Sequence, residues 1–348
     1  MAHLGRSAKP ERIVIAASVA AVIFLFVWFQ WELIFLAFAG LLCAILLNTI
    51  TEWIERHSPL GGGLSYLVTL FLIAGVLAGA AVLIVPRAIT QLSEVAKILP
   101  QSIARIENTL GHSVWGRTLL NMIHHAANGM GLAAKMKTIT AAMVAAVVDM
   151  IVVFVIGFFG ALNPRGYVKG LFALFPEQYR GRARELGSEL AERLRWWLLG
   201  QMVPMVVLGT ACMISLWLLG VHLAFTLGLL TGLMVFVPYA GTVLSGIPCV
   251  LMALQKGPHT ALYVLLLFSI FHVIEGYLLT PLVQKRAVRL PPVLTVLAQF
   301  FMWSFAGILG VAIAAPMTAA AMVLVNELYL KPRDRRLSAS IKEIPRAS

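Results

Sequence analysis

The stretch LLGQMVPMVVLGTACMISLWLLGVHLAFTLGLLTGLMVFVPYAGTVLSGIPCVLMALQ, from Leu198 to Gln255, contains no Asp, Glu, Lys or Arg. Soluble domains carry roughly 25% charged residues, so a run of this composition belongs in the hydrocarbon of a bilayer. The run is interrupted in its middle by Pro238, Gly241, Gly246 and Pro248. Backbone groups freed by such residues at membrane depth are tolerated only where protein or a wet cavity satisfies them.

The rest of the chain has the same character. Of its 348 residues, 60% are hydrophobic and only 12% are charged, and the mean hydropathy is +0.90. The apolar residues come in runs of about twenty, long enough for a helix to cross roughly 30 Å of hydrocarbon. They lack the strand-length alternation of an outer-membrane barrel. The sequence therefore predicts an all-α, polytopic helical membrane protein with a single membrane domain over residues 1–348.

About eight crossings are expected. The first follows Arg6, Lys9 and Arg12 and lacks a small-residue cleavage site, so it is interpreted as a retained helix. The predicted crossings are Ile13–Phe29, Leu33–Ile50, Leu64–Val85, Thr140–Gly160, Trp196–Gly220, Leu223–Val237, Thr260–Thr280 and the long stretch Val293–Val325.

The formal net charge of +12 is concentrated beside these crossings. This location favours membrane topology and attraction to anionic lipid, so no nucleic-acid partner is expected. By the positive-inside rule, the basic connector 162–195, the basic tail 331–348 and both termini are expected in the cytoplasm. The cations beside the crossings are Arg165, Lys169, Arg180, Arg182, Arg184, Arg193, Arg195, Lys331, Arg333, Arg335 and Arg336.

That orientation places residues 86–139 outside the cytoplasm as a helical insertion, since long segments translocate largely regardless of charge. Apolar residues recur at helical spacing in ITQLSEVAKILPQSIARIENTL, from Ile89 to Leu110, which predicts amphipathic helices. These helices are expected to pack on each other or on neighbouring subunits of a cyclic homo-oligomer. His112, His124 and His125 are not interpreted as a metal site, because no carboxylate or cysteine accompanies them at ligand spacing.

Motifs of enzymatic chemistry are absent from the sequence. Cys43, Cys212 and Cys249 fall inside apolar runs without a paired motif, so neither disulfides nor zinc are expected. The chain has no GxxxxGK[ST] sequence, no HExxH pair and no GxSxG elbow, which leaves ATP hydrolysis and proteolysis without support. No enzyme activity and no cofactor are expected.

A second interrupted stretch resembles the first. FAGILGVAIAAP places Gly307, Gly310 and Pro316 near the centre of 293–325. Two Gly/Pro-interrupted segments in comparable positions are the best sequence indication of a transporter's substrate pathway; close helix packing through small residues is the alternative. Because Val243–Leu254 is too short to cross, re-entrant hairpins are predicted; the alternative of single broken crossings would place Lys285, Arg286 and Arg289 outside, contrary to the positive-inside rule. Two hairpins would place the basic loop QKRAVRL, residues 284–290, in the cytoplasm.

Two of the fifteen acidic residues, Asp149 and Glu275, lie well inside a predicted crossing. An intramembrane acid indicates a functional site by default, and such a carboxyl can exchange a proton during a transport cycle. Glu275 is expected to line a polar cavity with the interrupted segments, and Asp149 is a further candidate; the alternative is that these acids only tie helices together. The other predicted pathway residues are Pro238, Tyr239, Gly241, His272, Tyr277, Gly307 and Gly310.

Four stretches together resemble the autoinducer-2 exporter family of bacterial membrane proteins: VPYAGTVLSGIPCVLMAL, HVIEGYLLTPLVQKRAVRLPPVLTVLA, AGILGVAIAAPMTAA and FPEQYRGRARELGSELAERLRWWLLGQ. The resemblance runs from about Ile13 to Leu330. It implies a multi-pass permease of the bacterial inner membrane, whose relatives are associated with export of autoinducer-2 or with sodium/proton exchange. Many relatives carry an aspartate where this chain has Asn163, so a role that needs an acid there is not transferred.

The expected function is therefore a secondary transporter that moves a small polar solute or signal molecule without ATP. A sodium (cation)/proton antiporter is the alternative within the same class. From a different class, a non-transporting membrane scaffold or assembly protein remains open, in which the extracytoplasmic helices act and the acids only pack.

Overall fold

The structure, a computed structural model, describes residues 30–110, 132–281 and 290–330, and no strand occurs in these ranges. The predicted crossing Ile13–Phe29, the segment 284–289 of the basic loop and the basic tail 331–348 lie outside them. So do His112, His124 and His125.

Nine helices follow one another along the described ranges. They are α1 Trp31–His57, α2 Gly62–Leu110, α3 Leu132–Leu162, α4 Pro164–Ala173, α5 Glu177–Leu218, α6 Ala224–Met234, α7 Ala240–Lys256, α8 Pro258–Ile274 and α9 Pro292–Val325. The last two continue into single π-helical turns, Glu275–Leu279 after α8 and Asn326–Leu330 after α9.

Six of these helices, α1, α2, α3, α5, α8 and α9, are long and apolar enough to cross a membrane. The predicted polytopic, all-helical membrane fold is thereby confirmed. The stretch predicted as the crossing Leu223–Val237 is instead an 11-residue helix, α6, followed by a turn. At 1.5 Å per residue α6 measures only about 16 Å, which is too short to span.

Helix α2 extends far beyond its predicted crossing. It runs without interruption for 49 residues to Leu110, a length of about 74 Å. The helical structure predicted from the spacing of apolar residues in 89–110 is therefore confirmed, and it continues directly from the membrane-spanning part of α2.

The two interrupted stretches both reverse the chain. Helices α6 and α7 are joined by a tight turn over residues 235–239. In α9 the backbone leaves helical geometry at Ala306 and at Gly307, whose φ is 51°. A Cβ on Gly310 would lie 2.8 Å from the carbonyl carbon of Met302, whereas eight residues of straight helix span about 12 Å. Helix α9 therefore consists of two arms, 292–305 and 308–325, that fold back on each other.

Ion pairs attach the basic connector to the membrane helices. Arg195 Nη1 lies 2.9 Å from Glu52 Oε2, which ties α5 to α1, and Arg182 Nη2 lies 3.2 Å from Glu327 Oε2 at the end of α9. Asn163 Oδ1 accepts a hydrogen bond from Gly166 N and caps α4. Because Asn and Asp cap helices equally well, an aspartate at this position would make the same cap.

Small residues bring α5 and α6 into backbone contact. A Cβ on Gly209 would lie 2.9 Å from the Cα of Gly232 and 3.1 Å from the carbonyl oxygen of Gly228. Both distances are shorter than normal packing contacts, so nothing larger than glycine fits without moving a helix. Close packing through small residues, the alternative interpretation of glycine in the interrupted run, therefore applies at this contact.

We expect Gly209→Ala to destabilise the folded protein by about 1–3 kcal/mol, the usual cost of overpacking a core. The matched control is Gly75→Ala in α2, where an added Cβ meets nothing within 4 Å. The control should be neutral or slightly stabilising, because alanine is the better helix former. Thermal unfolding in detergent measures both variants. Equal melting temperatures for the two would contradict the close α5–α6 contact.

Candidate functional site

The candidate site is built around the turn that joins α6 to α7. Ala240 N donates to Pro238 O over 2.8 Å, an i to i+2 hydrogen bond, and Tyr239 at its centre has φ 64° and ψ −54°. This is a γ-turn with positive φ at a non-glycine residue, which is a rare and strained backbone geometry. The interruption also removes helical partners from nearby backbone groups, and these groups must be satisfied in another way.

Three buried side chains from three different helices bond the backbone of this turn. Gln201 Nε2 of α5 donates to the carbonyl oxygen of Val235 over 2.7 Å. Gln299 Nε2 of α9 donates to the carbonyl oxygen of Pro238 over 2.9 Å. The Tyr239 backbone N–H donates to Glu275 Oε1 over 3.0 Å. We call Gln201, Glu275 and Gln299 the clamp; their exposed fractions are only 4%, 2% and 5%.

Glu275 begins the π-helical turn that follows α8. Its second carboxylate oxygen, Oε2, accepts a hydrogen bond from the hydroxyl of Thr242 in the first turn of α7. Both oxygens are therefore bonded at the N-terminal end of α7, where the helix dipole favours negative charge. These contacts explain how an acid is accommodated in an otherwise apolar span. Single π-helical turns inside α-helices also occur frequently at functional sites.

Gln201 and Glu275 of the clamp line a small cavity of about 20 Å³. This volume accommodates about one ordered water molecule. The wall brings together α5, the turn, the end of α8 and both arms of α9. It is formed by Trp197, Gln201, Pro204, Pro238, Tyr239, Glu275, Thr280, Leu290, Thr295 and Ala315.

Four of the predicted pathway residues meet at this site. Glu275, Pro238 and Tyr239 line the cavity. Gly241 lies immediately behind the turn, where a Cβ would overlap the carbonyl group of Met234. The first interrupted segment and the intramembrane acid of α8 are therefore in direct contact.

The other predicted residues lie elsewhere. Gly307 and Gly310 form the reversal of α9 and are absent from the cavity wall. Tyr277 is 84% exposed on the outer surface, and Asp149 is half-buried in α3. His272 lines a separate, wider groove between α7 and α8.

Sequence reasoning missed Gln201, Thr242, Thr295 and Gln299. A signal existed, because an amide in a long apolar run is costly unless its donors and acceptor are satisfied. Thr295 and Gln299 are also four residues apart, which places them on one face of a helix. Which helix face would meet which turn is not encoded in that spacing.

The fold and the site together define the class of this protein. It is a polytopic helical membrane protein whose two chain reversals enclose a buried acid, amides and hydroxyls, as membrane transport proteins do.

Comparison with known proteins identifies the family. The family described as AI-2E family transporter matches residues 18–330, and this chain belongs to it. The chain is 25% identical over 344 residues to "Putative transport protein YueF" of Bacillus subtilis, covering 93% of this chain and 92% of YueF. It is 23% identical over 305 residues to "Putative transport protein sll0060" of Synechocystis sp., covering 82% and 86%.

Proposed function

We propose that this chain is a secondary transporter of a small polar solute, a permease of the bacterial inner membrane that works without ATP and has both termini in the cytoplasm. The observation that carries the proposal is Glu275, an intramembrane carboxyl that is only 2% exposed. It is bonded to the turn of one chain reversal and lies beside a cavity that the arms of the other reversal help to line. Intramembrane acids in such positions mark substrate or proton pathways.

The cavity wall has the groups that a polar solute requires. Glu275 offers a carboxyl, Gln201 an amide, and Thr280 and Thr295 hydroxyls, while Trp197 supplies an apolar surface. Such a set of donors and acceptors fits a small hydroxylated or carbonyl-containing molecule. Autoinducer-2, after which the family is named, falls within this class and is the first solute to test.

The cavity is too small for such a solute in the present conformation. Ligand sites for organic molecules usually measure about 300–1,000 Å³, against about 20 Å³ in this protein. The small volume supports an occluded state, in which the pathway is closed and one of the chain reversals has to move before a solute enters. Movement of one part of the fold against another is the general way in which secondary transporters expose a central site alternately to the two sides.

The same volume favours a second candidate function, the sodium (cation)/proton antiporter. A cavity for one water molecule also suits a small ion, and it contains a carboxyl group that can release or take up a proton. Sodium-dependent proton movement in proteoliposomes separates the two functions, because a solute permease without ion exchange leaves the internal pH unaffected by a sodium gradient.

The proposed orientation predicts that the basic loop 284–290 faces the cytoplasm. In a cysteine-free background, we expect Arg286→Cys to react with a membrane-impermeant thiol reagent in inside-out vesicles and to remain unlabelled in intact cells. The reason is that α5 leaves the side of the basic connector, the α6–α7 reversal keeps the chain on the far side, and α8 returns it, as the positive-inside rule requires. Labelling of Arg286→Cys from outside intact cells would contradict this orientation.

A further inference from the structure

We infer that the turn over residues 235–239 is the gate of the cavity and that Gln201 and Gln299 are positioning residues that hold it closed. This inference rests on the proposed function, since a gate matters only if a solute or ion passes. Its support is geometric and consists of the strained turn, the clamp and the location of the turn in the cavity wall.

The turn does not hold its shape by itself. Its central residue, Tyr239, has φ 64°, a conformation that costs a residue with a Cβ of order 1–3 kcal/mol and persists only where the surroundings impose it. Tyr239 and Pro238 both line the cavity. Relaxation of the turn to an ordinary φ would therefore move a part of the cavity wall.

The clamp supplies what the turn lacks. Gln201, Glu275 and Gln299 each bond a different backbone group, namely Val235 O, Tyr239 N and Pro238 O. The three bonds come from α5, α8 and α9, so the closed turn depends on all three helices being in place at once. Movement of any one of these helices would break a bond and release the strain.

Gln299 has a particular position among the three. It lies in the first arm of α9, four residues after Thr295, and both side chains are buried. Through its bond to Pro238 O, the second interrupted segment directly contacts the turn of the first. Gln299 therefore couples the two chain reversals and is the residue whose loss should loosen the gate without removing the acid.

The test measures access to the cavity and does not depend on transport. The reporter is Thr295→Cys, a substitution of a cavity-lining hydroxyl, placed in a full-length protein whose Cys43, Cys212 and Cys249 are replaced by alanine. The protein is reconstituted in nanodiscs, and the modification rate by a small water-soluble methanethiosulfonate is followed. Adding Gln299→Leu should raise this rate about fivefold or more, as expected for the loss of one buried hydrogen bond. The control Gln255→Leu, at an exposed glutamine of α7, should leave the rate unchanged.

A second pair of variants isolates the strain. Tyr239→Gly and Tyr239→Ala both remove the phenol ring and differ only in the Cβ that makes a positive φ unfavourable. If the closed turn is strained, the glycine variant stays closed more of the time. The reporter should then react about tenfold more slowly in Tyr239→Gly than in Tyr239→Ala.

Two outcomes would overturn the gate. One is the same reporter rate in the glycine and alanine variants, and the other is a Gln299→Leu rate equal to that of the starting protein.

Should the cysteine-free protein fail to fold, hydrogen exchange of the 235–241 amides replaces the reporter. In that measurement Gln299→Leu must accelerate exchange over the otherwise native sequence, and unchanged exchange rejects the gate. Absence of solute or ion flux with the expected reporter rates would reject the proposed function and leave the moving turn in place.

Discussion

Replacing Glu275 by glutamine should reduce transport at least about tenfold, because glutamine cannot ionise and has only one oxygen to accept the two hydrogen bonds from Tyr239 N and Thr242. Glutamine keeps the shape of glutamate, so the protein should still fold. The remaining flux should also depend less on pH, because the substituted side chain cannot exchange a proton. Initial rates of flux in proteoliposomes between pH 6 and 8 measure both effects.

Two control variants make this result specific. Glu177→Gln changes an acid whose side chain is 90% exposed at the start of α5 and should leave both the rate and its pH dependence unchanged. His272 lies in the last turn of α8, three residues before Glu275, so His272→Asn, which removes the imidazole, shows which of the two groups produces the pH profile. A Glu275→Gln protein that transports normally across the range would reduce Glu275 to a structural role.

The second large effect is expected at Gly241. A Cβ there would overlap the carbonyl group of Met234 and lie 2.9 Å from the Cα of Val235. These neighbours are backbone atoms, which cannot move aside as a flexible side chain does. We therefore expect Gly241→Ala to displace the turn, abolish transport and lower the free energy of unfolding by about 1–3 kcal/mol.

The control for Gly241 is Gly276→Ala. Gly276 follows the acid directly, yet an added Cβ meets nothing within 4 Å, so this variant should transport and unfold like the starting protein. Flux and thermal unfolding measured side by side provide the comparison. A fully active Gly241→Ala protein would be incompatible with the tight reversal between α6 and α7.

The sequence was sufficient to predict much of the fold. Runs of about twenty apolar residues predicted the long helices, because crossing a bilayer requires that length. Glycine and proline in 238–248 predicted a chain reversal, because they interrupt helical hydrogen bonding inside hydrocarbon. The continuity of α2 was not predicted, since nothing in the sequence shows that the membrane span and the amphipathic segment after it form one uninterrupted helix.

The sequence pointed to the acid and to the interrupted turn at Pro238, Tyr239 and Gly241, but not to the amides that bond the turn. Glu275 could be found because its carboxyl is costly in the membrane and requires partners. Gln201 and Gln299 carry no charge, and their role depends on which backbone groups the folded chain brings to them. Gly307 was expected at the cavity and lies instead at the reversal of α9. A glycine that interrupts a helix can serve either a chain reversal or the wall of a cavity, and the sequence does not distinguish the two.

The positions of His272 and Glu275, both predicted to line the pathway, illustrate the same limit. Residues three apart on a helix differ by about 60° around its axis. In this protein that angle separates an exposed His272 from a buried Glu275. The π-helical turn that begins at Glu275 has no signature in the apolar periodicity, so the directions of the side chains after it, including Tyr277, were not predictable.

The central claim, that this chain moves a small polar solute past Glu275, is tested most directly by flux into proteoliposomes that contain the purified wild-type protein. Autoinducer-2, a neutral polyol and labelled sodium are each offered under imposed proton and sodium gradients, with Glu275→Gln and protein-free vesicles in parallel. We expect saturable flux of autoinducer-2 that the Glu275→Gln protein lacks. Flux of sodium alone with proton counter-movement would assign the antiporter function instead, and wild-type vesicles that match protein-free vesicles for every solute and ion would contradict transport altogether.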